Sequence, residues 1–335
     1  MCGVQHHPSL FEVELSRRTA LVGAVATGAG TLAATLGASP ALAQVGHDPL
    51  LDGVIDLHVH ADPDVDPRSL DDTQVAAKYA EVGARAILLK NHYLVTSDRA
   101  YLARQAVAGI EVFGGITLNK QVGGLNAAAI RTMTQIKGRY GKVVWFPTRD
   151  AQQHLDRFPR DDTPVPVVDE GGDLLPEARE CLRVIMGENL ALFTGHLSAS
   201  DALTLIREAR AVGVKKIMVT HALTDPARFS IEQLQAAVAL GAVIEHVYLG
   251  TLAGPTALSP GQRDFTNVPI SDYVATIKAV GARNCVLSTD LGQAENPVHP
   301  MGLKVFMILL TAAGVTRDEV DMMVRRNPAR MLDLT

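Results

Sequence analysis

Residues 54–60 read Val-Ile-Asp-Leu-His-Val-His, an apolar run that closes on two histidines two positions apart. In an extended strand alternate side chains share a face, so His58 and His60 point the same way, and by the same count so does Asp56. Seven further apolar runs follow, at 86–89, 112–118, 143–146, 190–194, 217–220, 243–249 and 286–289. Amphipathic helical patterns lie between them, among others at 73–82, 199–212, 231–240 and 271–280. Gly83, Gly109, Gly213, Gly241 and Gly281 stand just before the next run, where a left-handed residue closes a helix and turns the chain back. Strands rich in Val, Ile and Leu on both faces belong to a buried parallel sheet. Eight such units predict an α/β fold, a (β/α)8 TIM barrel. An open doubly wound sheet is the alternative, but no glycine-rich phosphate loop follows the first run.

The 335 residues are 47% hydrophobic, 20% charged and 4% aromatic, which excludes wholesale disorder. The formal charge is −5 and no long Lys/Arg cluster occurs, so no nucleic-acid partner is expected. Cys2, Cys181 and Cys285 are too few for a disulfide scaffold and form no C-x-x-C pair. Cys181 and Cys285 read as buried packing.

At the N-terminus, Ser16-Arg17-Arg18-Thr19 sets an arginine pair before an uncharged Ala/Gly-rich stretch at 20–38. Ala41-Leu42-Ala43 then gives a small-x-small cleavage pattern. The segment resembles a twin-arginine export signal, with residues 1–43 removed and 44–335 forming the barrel, in the periplasm or secreted. Its glycines (Gly23, Gly28, Gly30, Gly37) make it a poor membrane span, so no stable membrane anchor is expected. The connection 149–188, with its prolines and acids, reads as an elaborated loop over the barrel mouth rather than a second domain. The expected partners are a small-molecule substrate, the twin-arginine export machinery and further copies of the chain in a homo-oligomer.

The polar residues carry the functional argument. His58 and His60 follow the first run, and Lys90 and His92 the second. His196 follows the fifth, His221 the sixth, His246 lies within the seventh, and Asp290 ends the eighth. In a barrel those ends converge on the face that carries active sites. One histidine there is usually a hydrogen-bonded rim residue. Six are hard to attribute to packing, because buried polar groups cost free energy unless paired, and a divalent cation satisfies several neutral imidazoles together. Asp56, on the face of His58 and His60, is placed to orient a ligand from behind.

The ordered set resembles the amidohydrolase superfamily of metal-dependent hydrolases: His-x-His after the first run, single histidines after the fifth and sixth, and an aspartate after the eighth. The ending Arg326-Asn327-Pro328-Ala329-Arg330-Met331-Leu332 is also similar to that superfamily's C-terminal Asn-Pro-Ala segment, and the likeness spans about 52–333. The resemblance implies one or two divalent cations, with His58 and His60 holding one, His196 and His221 a second, and Asp290 both ligating and shuttling protons. Zinc is the default for a histidine-rich site, with manganese, iron and nickel as alternatives. Binuclear members usually carry a lysine or glutamate at the end of strand four. Here that run reads Val143-Val144-Trp145-Phe146-Pro147-Thr148, with neither. Lys90 is the substitute, as a carboxylated lysine joining two cations. Its alternatives are an ammonium that binds an anionic substrate and a lysine that reaches to solvent.

The resulting expectation is a metal-dependent hydrolase that cleaves an amide/lactam or ester/lactone bond of a small molecule. Asp290 acts as the proton shuttle, and His92 polarises a carbonyl or adds a ligand. Arg68 and His246 are assigned to substrate binding, although Glu245 and His246 are neighbours and only one can face the lumen. Trp145 reads as barrel core. A metal-dependent decarboxylase or isomerase, and a non-catalytic barrel that captures metal or a small molecule, are the alternatives.

Overall fold

The computed structural model describes residues 47–334, so the expected export signal at 1–43 lies outside the described residues. Eight parallel strands follow one another around a single sheet in chain order: β1 Ile55–His60, β2 Ala86–Lys90, β3 Glu111–Thr117, β4 Gly141–Trp145, β5 Ala191–Phe193, β6 Lys216–Val219, β7 Val243–Val247 and β8 Cys285–Ser288. Closure between β8 and β1 comes from the Asp290 N–H donating to the His58 carbonyl at 2.9 Å and the His60 N–H donating to the Leu291 carbonyl at 3.0 Å. The fold is the expected (β/α)8 barrel, and each predicted run coincides with a strand to within two or three residues.

Between the strands lie α1 Asp72–Glu81, α2 Ser97–Ala106, α3 Ala127–Gln135, the short α4 Gln152–Arg157, and α5 Pro176–Gly187. They are followed by α6 Ala199–Ala211, α7 Ile231–Ala239, the one-turn α8 Leu249–Leu252 and α9 Ile270–Val280. After β8 come α10 His299–Ala312, α11 Arg317–Asp321 and α12 Asn327–Met331. The five glycines expected to turn the chain back all have positive φ, from 81° to 97°. No helix among the described residues is long and apolar enough to cross a membrane.

Strand alternation builds two cores. Inward residues Leu57, Leu88, Val143, Trp145, Phe193, Met218 and Val286 fill the barrel. Outward residues Val59, Ile87, Val144, Leu192, Val219 and Ile244 pack beneath the helices. Trp145 meets Phe193 edge-on at 5.3 Å between centroids and is fully buried, which places it in the barrel core as expected. The C-terminal segment closes the other end: Ala329, Met331 and Leu332 join the inner core, and the Asn327 side-chain amide donates to the Ala282 and Cys285 carbonyls at 2.9 and 2.6 Å.

Two expectations need correction. The connection 149–188 is not one long loop, because Pro176–Gly187 is α5, an ordinary barrel helix with proline in its first turn. Only the part before it, with α4, reaches the mouth. Asp56 does not share a face with His58, because β1 slips register between Asp56 and Val59. Asp56 points outward, where its carboxylate accepts from the Tyr79 hydroxyl at 2.5 Å and the Thr289 hydroxyl at 2.6 Å. The same carboxylate accepts from the His58 and Thr289 backbone N–H groups, at 3.0 and 3.1 Å. It therefore stitches the β1 bulge to the end of β8 from behind.

Candidate metal centre

The bulge turns His58 as well as His60 inward, and both reach the carboxylate at the end of β8. His58 Nε2 lies 2.9 Å and His60 Nε2 3.2 Å from Asp290 Oδ1. One nitrogen from each ring and one aspartate oxygen fall within 4.8 Å of one another. Asp290 adopts φ of 55°, and His221, at the end of β6, φ of 27°. Non-glycine residues rarely sit in that region, and they concentrate where a side chain must be aimed. Gly292 beyond Asp290 is required by contact: a Cβ there would stand 2.3 Å from the His60 carbonyl oxygen.

Behind His58 is a residue set aside at first. Glu245 on β7 is fully buried, and its two oxygens lie 3.1 and 3.2 Å from His58 Nδ1. One of them also accepts the His221 backbone N–H at 2.8 Å. The strand alternation that turns Glu245 inward sends His246 outward. His246 packs edge-on against Tyr273 of α9 at 5.5 Å and is absent from the cavity lining. Its expected role in substrate binding is therefore corrected. The only sequence signal was that just one of the two neighbours can face the lumen, and the histidine pattern favoured the wrong one.

Lys90 ends β2 inside the barrel, with Nζ 2.9 Å from His58 Nε2 and 5.7 Å from the centre of the Trp145 ring. Among the described residues no carboxylate lies within ion-pair distance of it, so burial pulls its pKa down to about 8 against the attraction of Asp290 and Glu245. His92 lies 5.0 Å from His60 and 5.9 Å from His196 between ring centroids. The Thr148 hydroxyl accepts from the Asn119 amide at 2.8 Å and lies 2.9 Å from His92 Nδ1. His196 and His221 are neighbours at 4.7 Å. His221 Nδ1 is held by the Thr224 hydroxyl at 2.9 Å.

The electrostatics of His60, His92, His196 and His221 suit ligation. Burial keeps His60, His92 and His196 well below the usual imidazole range, and His221 at about 4, so these rings are neutral with a lone pair to offer. Burial opposes charge on His58 too, but Asp290 and Glu245 outweigh it and push the ring up to about 9. Burial likewise opposes charge on Asp290, and the charge and hydrogen bonding of His58 overcome it, holding the carboxylate well below its ordinary range. Two imidazole Nε2 atoms and a carboxylate oxygen, with Glu245 fixing the proton on Nδ1 of one ring, form a donor set that fits a divalent cation.

His60, Lys90, His92, His196, His221 and Asp290 floor a cavity of about 520 Å³, with His58 in contact with Asp290. His154, from α4, is a further lining residue that the sequence did not single out. Phe158 and Phe265 stack at 4.4 Å and join the loops after β4 and β7 across the mouth. Leu249, Ala253, Pro260 and Pro67 extend that apolar wall. Arg68 also lines the cavity, but its guanidinium is engaged by Asp64 of its own loop at 2.6 Å. Arg149 is paired with Asp66 at 2.6 Å.

The barrel recurs in solved structures. An organophosphorus hydrolase from Deinococcus radiodurans superposes with a TM-score of 0.57 at 16% identity, over 84% of this chain and 92% of that one. The phosphotriesterase homology protein from Escherichia coli, solved with phosphate in its active site, gives 0.55 at 16%, over 84% and 98%. An organophosphate-hydrolysing protein engineered from a weak promiscuous lactonase gives 0.56 at 16%, over 84% and 95%. No curated protein matches the sequence. Residues 53–245 match the model of a family of unknown function, DUF6282, and the chain belongs to that family. The matched span runs from β1 to Glu245.

Proposed function

We propose that the chain is a metal-dependent hydrolase of the amidohydrolase type that cleaves an ester or lactone bond of a small molecule with an apolar body. The observation that carries the reading is the meeting of His58, His60 and Asp290 on one another, with His60 and Asp290 lining a cavity that Lys90, His196 and His221 also line. His58, His60 and Asp290 would hold one divalent cation, zinc by default, and His196 and His221 would serve a second. A cation bound there would supply Lewis-acid polarisation of a substrate oxygen and a water whose pKa lies towards ~7. Asp290, at the centre of the cluster, takes the proton from the attacking water and delivers it to the leaving group. His92 offers a ring N–H to the substrate oxygen on which charge develops. The Phe158–Phe265 wall binds the apolar part and excludes water.

Lys90 is proposed as a carbamate that supplies oxygens to two cations. A buried ammonium with no carboxylate partner is costly, and carboxylation turns it into an anion among neutral imidazoles and cations. The solved relatives described as lactonase-derived and organophosphorus hydrolases support ester, lactone and phosphotriester substrates over amides. Export through the twin-arginine route, and a homo-oligomer, complete the proposal.

The test is turnover by zinc-loaded protein on a panel of lactones, carboxylic esters, phosphotriesters and amides. The expected result is hydrolysis within the first three groups. Release of carbon dioxide from a carboxylic acid, with no hydrolysis anywhere on the panel, would replace the reading with a decarboxylase.

A further inference from the structure

The segment that follows β8 grips both backbone groups of His60. The His60 N–H donates to the Leu291 carbonyl at 3.0 Å, and the His60 carbonyl accepts from Nε2 of His299 at 2.9 Å. A carbonyl can only accept, so His299 carries a proton on Nε2. Gly292 presses on the same carbonyl, where a Cβ would stand 2.3 Å from the oxygen. His299 opens α10 just ahead of Pro300 and is fully buried. Its Nδ1 has no hydrogen-bond partner among the described residues, so the ring directs its N–H at a residue of the metal centre.

The segment 290–299 begins with one ligand and ends against another. Asp290 Oδ1 lies 3.2 Å from His60 Nε2, and His299 returns to the His60 carbonyl. Between these ends the Gln293 amide donates back to the Asp290 carbonyl at 3.2 Å, and the Asn296 amide donates to the Gln293 side chain at 3.0 Å. The loop is therefore braced, and the way it closes sets how the two donor atoms face each other. Without the His299 N–H, the tie that closes it onto β1 is lost.

Resting on the proposed metal centre, we infer that His299 is a positioning residue for the cation held by His58, His60 and Asp290. By holding the His60 carbonyl it sets His60 Nε2 against Asp290 Oδ1, and it tunes the affinity without touching the ion.

The experiment is competition of the full chain for Zn²⁺ against a chromophoric chelator. The visible spectrum of the Co²⁺-loaded protein and the Tm of the metal-free protein are measured beside it. His299→Gln keeps an N–H at the reach of Nε2, His299→Asn has an amide that falls short, and His299→Leu has no donor. His299→Asn and His299→Leu should bind Zn²⁺ roughly 10–100-fold more weakly and shift the Co²⁺ bands, and His299→Gln should recover most of the loss. The Asn and Gln pair decides the matter even if His299→Leu does not fold. Wild-type affinity and an unchanged Co²⁺ spectrum in His299→Asn, with only the metal-free Tm lowered, would make His299 a packing residue and leave the metal centre standing. An equal loss in His299→Gln and His299→Asn would also overturn the inference. A wild type that binds no cation would overturn the metal centre with it.

Discussion

Glu245 on β7 grips Nδ1 of His58 on β1 with both carboxylate oxygens, at 3.1 and 3.2 Å, while one of those oxygens also holds the His221 backbone N–H at 2.8 Å. A single buried carboxylate thus positions His58 from β1 and His221 from the end of β6. It holds a His58 proton on Nδ1 and turns Nε2 towards Asp290 and Lys90.

Glu245→Gln keeps the shape but removes the charge and one acceptor. Its metal affinity should fall by roughly 10–100-fold while the far-UV spectrum is unchanged. Competition for Zn²⁺ against a chromophoric chelator reads the effect. An affinity equal to wild type would assign Glu245 to packing alone.

At Lys90 the chemistry is specific. On the proposed reading, the neutral amine would add to carbon dioxide, forming the N–C bond and releasing one proton, and the carbamate oxygens would serve as metal ligands. Lys90→Ala should lower the metal count from two to one and collapse turnover, with partial recovery on adding short-chain carboxylic acids. Retention of both metals with a raised KM and little change in kcat would instead make Lys90 an anion-binding residue.

Gly195 stands between β5 and His196 at φ of 66°, and a Cβ there would lie 2.2 Å from the Phe146 carbonyl oxygen. Gly195→Ala should therefore cost at least about 1–3 kcal/mol and lower Tm. Because the displaced backbone leads straight into His196, metal binding should weaken as well. Thermal denaturation with and without Zn²⁺ measures both. A Tm and metal affinity equal to wild type would show that the turn relaxes freely.

The barrel was legible because its signal is repeated: eight apolar runs and five glycine turns agree with one another. His58, His60, Lys90, His92, His196, His221 and Asp290 were legible because strand ends in such a barrel face one way. The misreadings share a cause. Parity counting assumes an unbroken strand, and the bulge after Asp56 reverses that residue's face. Parity also allowed either Glu245 or His246 to point inward, and register alone chose between them. His154 reaches the site through loop geometry, which leaves no periodic trace in the sequence.

Export makes an independent prediction. Replacing Arg17 and Arg18 by lysine should leave an uncleaved cytoplasmic precursor, seen by fractionation and N-terminal sequencing. Protein beginning at Gln44 in the periplasm despite that change would contradict the twin-arginine reading.

The metal centre itself is tested most directly by the metal content of His58→Ala and Asp290→Asn beside wild type, with folding followed by circular dichroism. Neither hydrophobic core contains these side chains, so both variants should fold. Each should lose bound cation together with lactone and ester hydrolysis, whereas wild type keeps both and loses hydrolysis only on chelation. Folded variants with wild-type metal content and wild-type turnover would contradict the account.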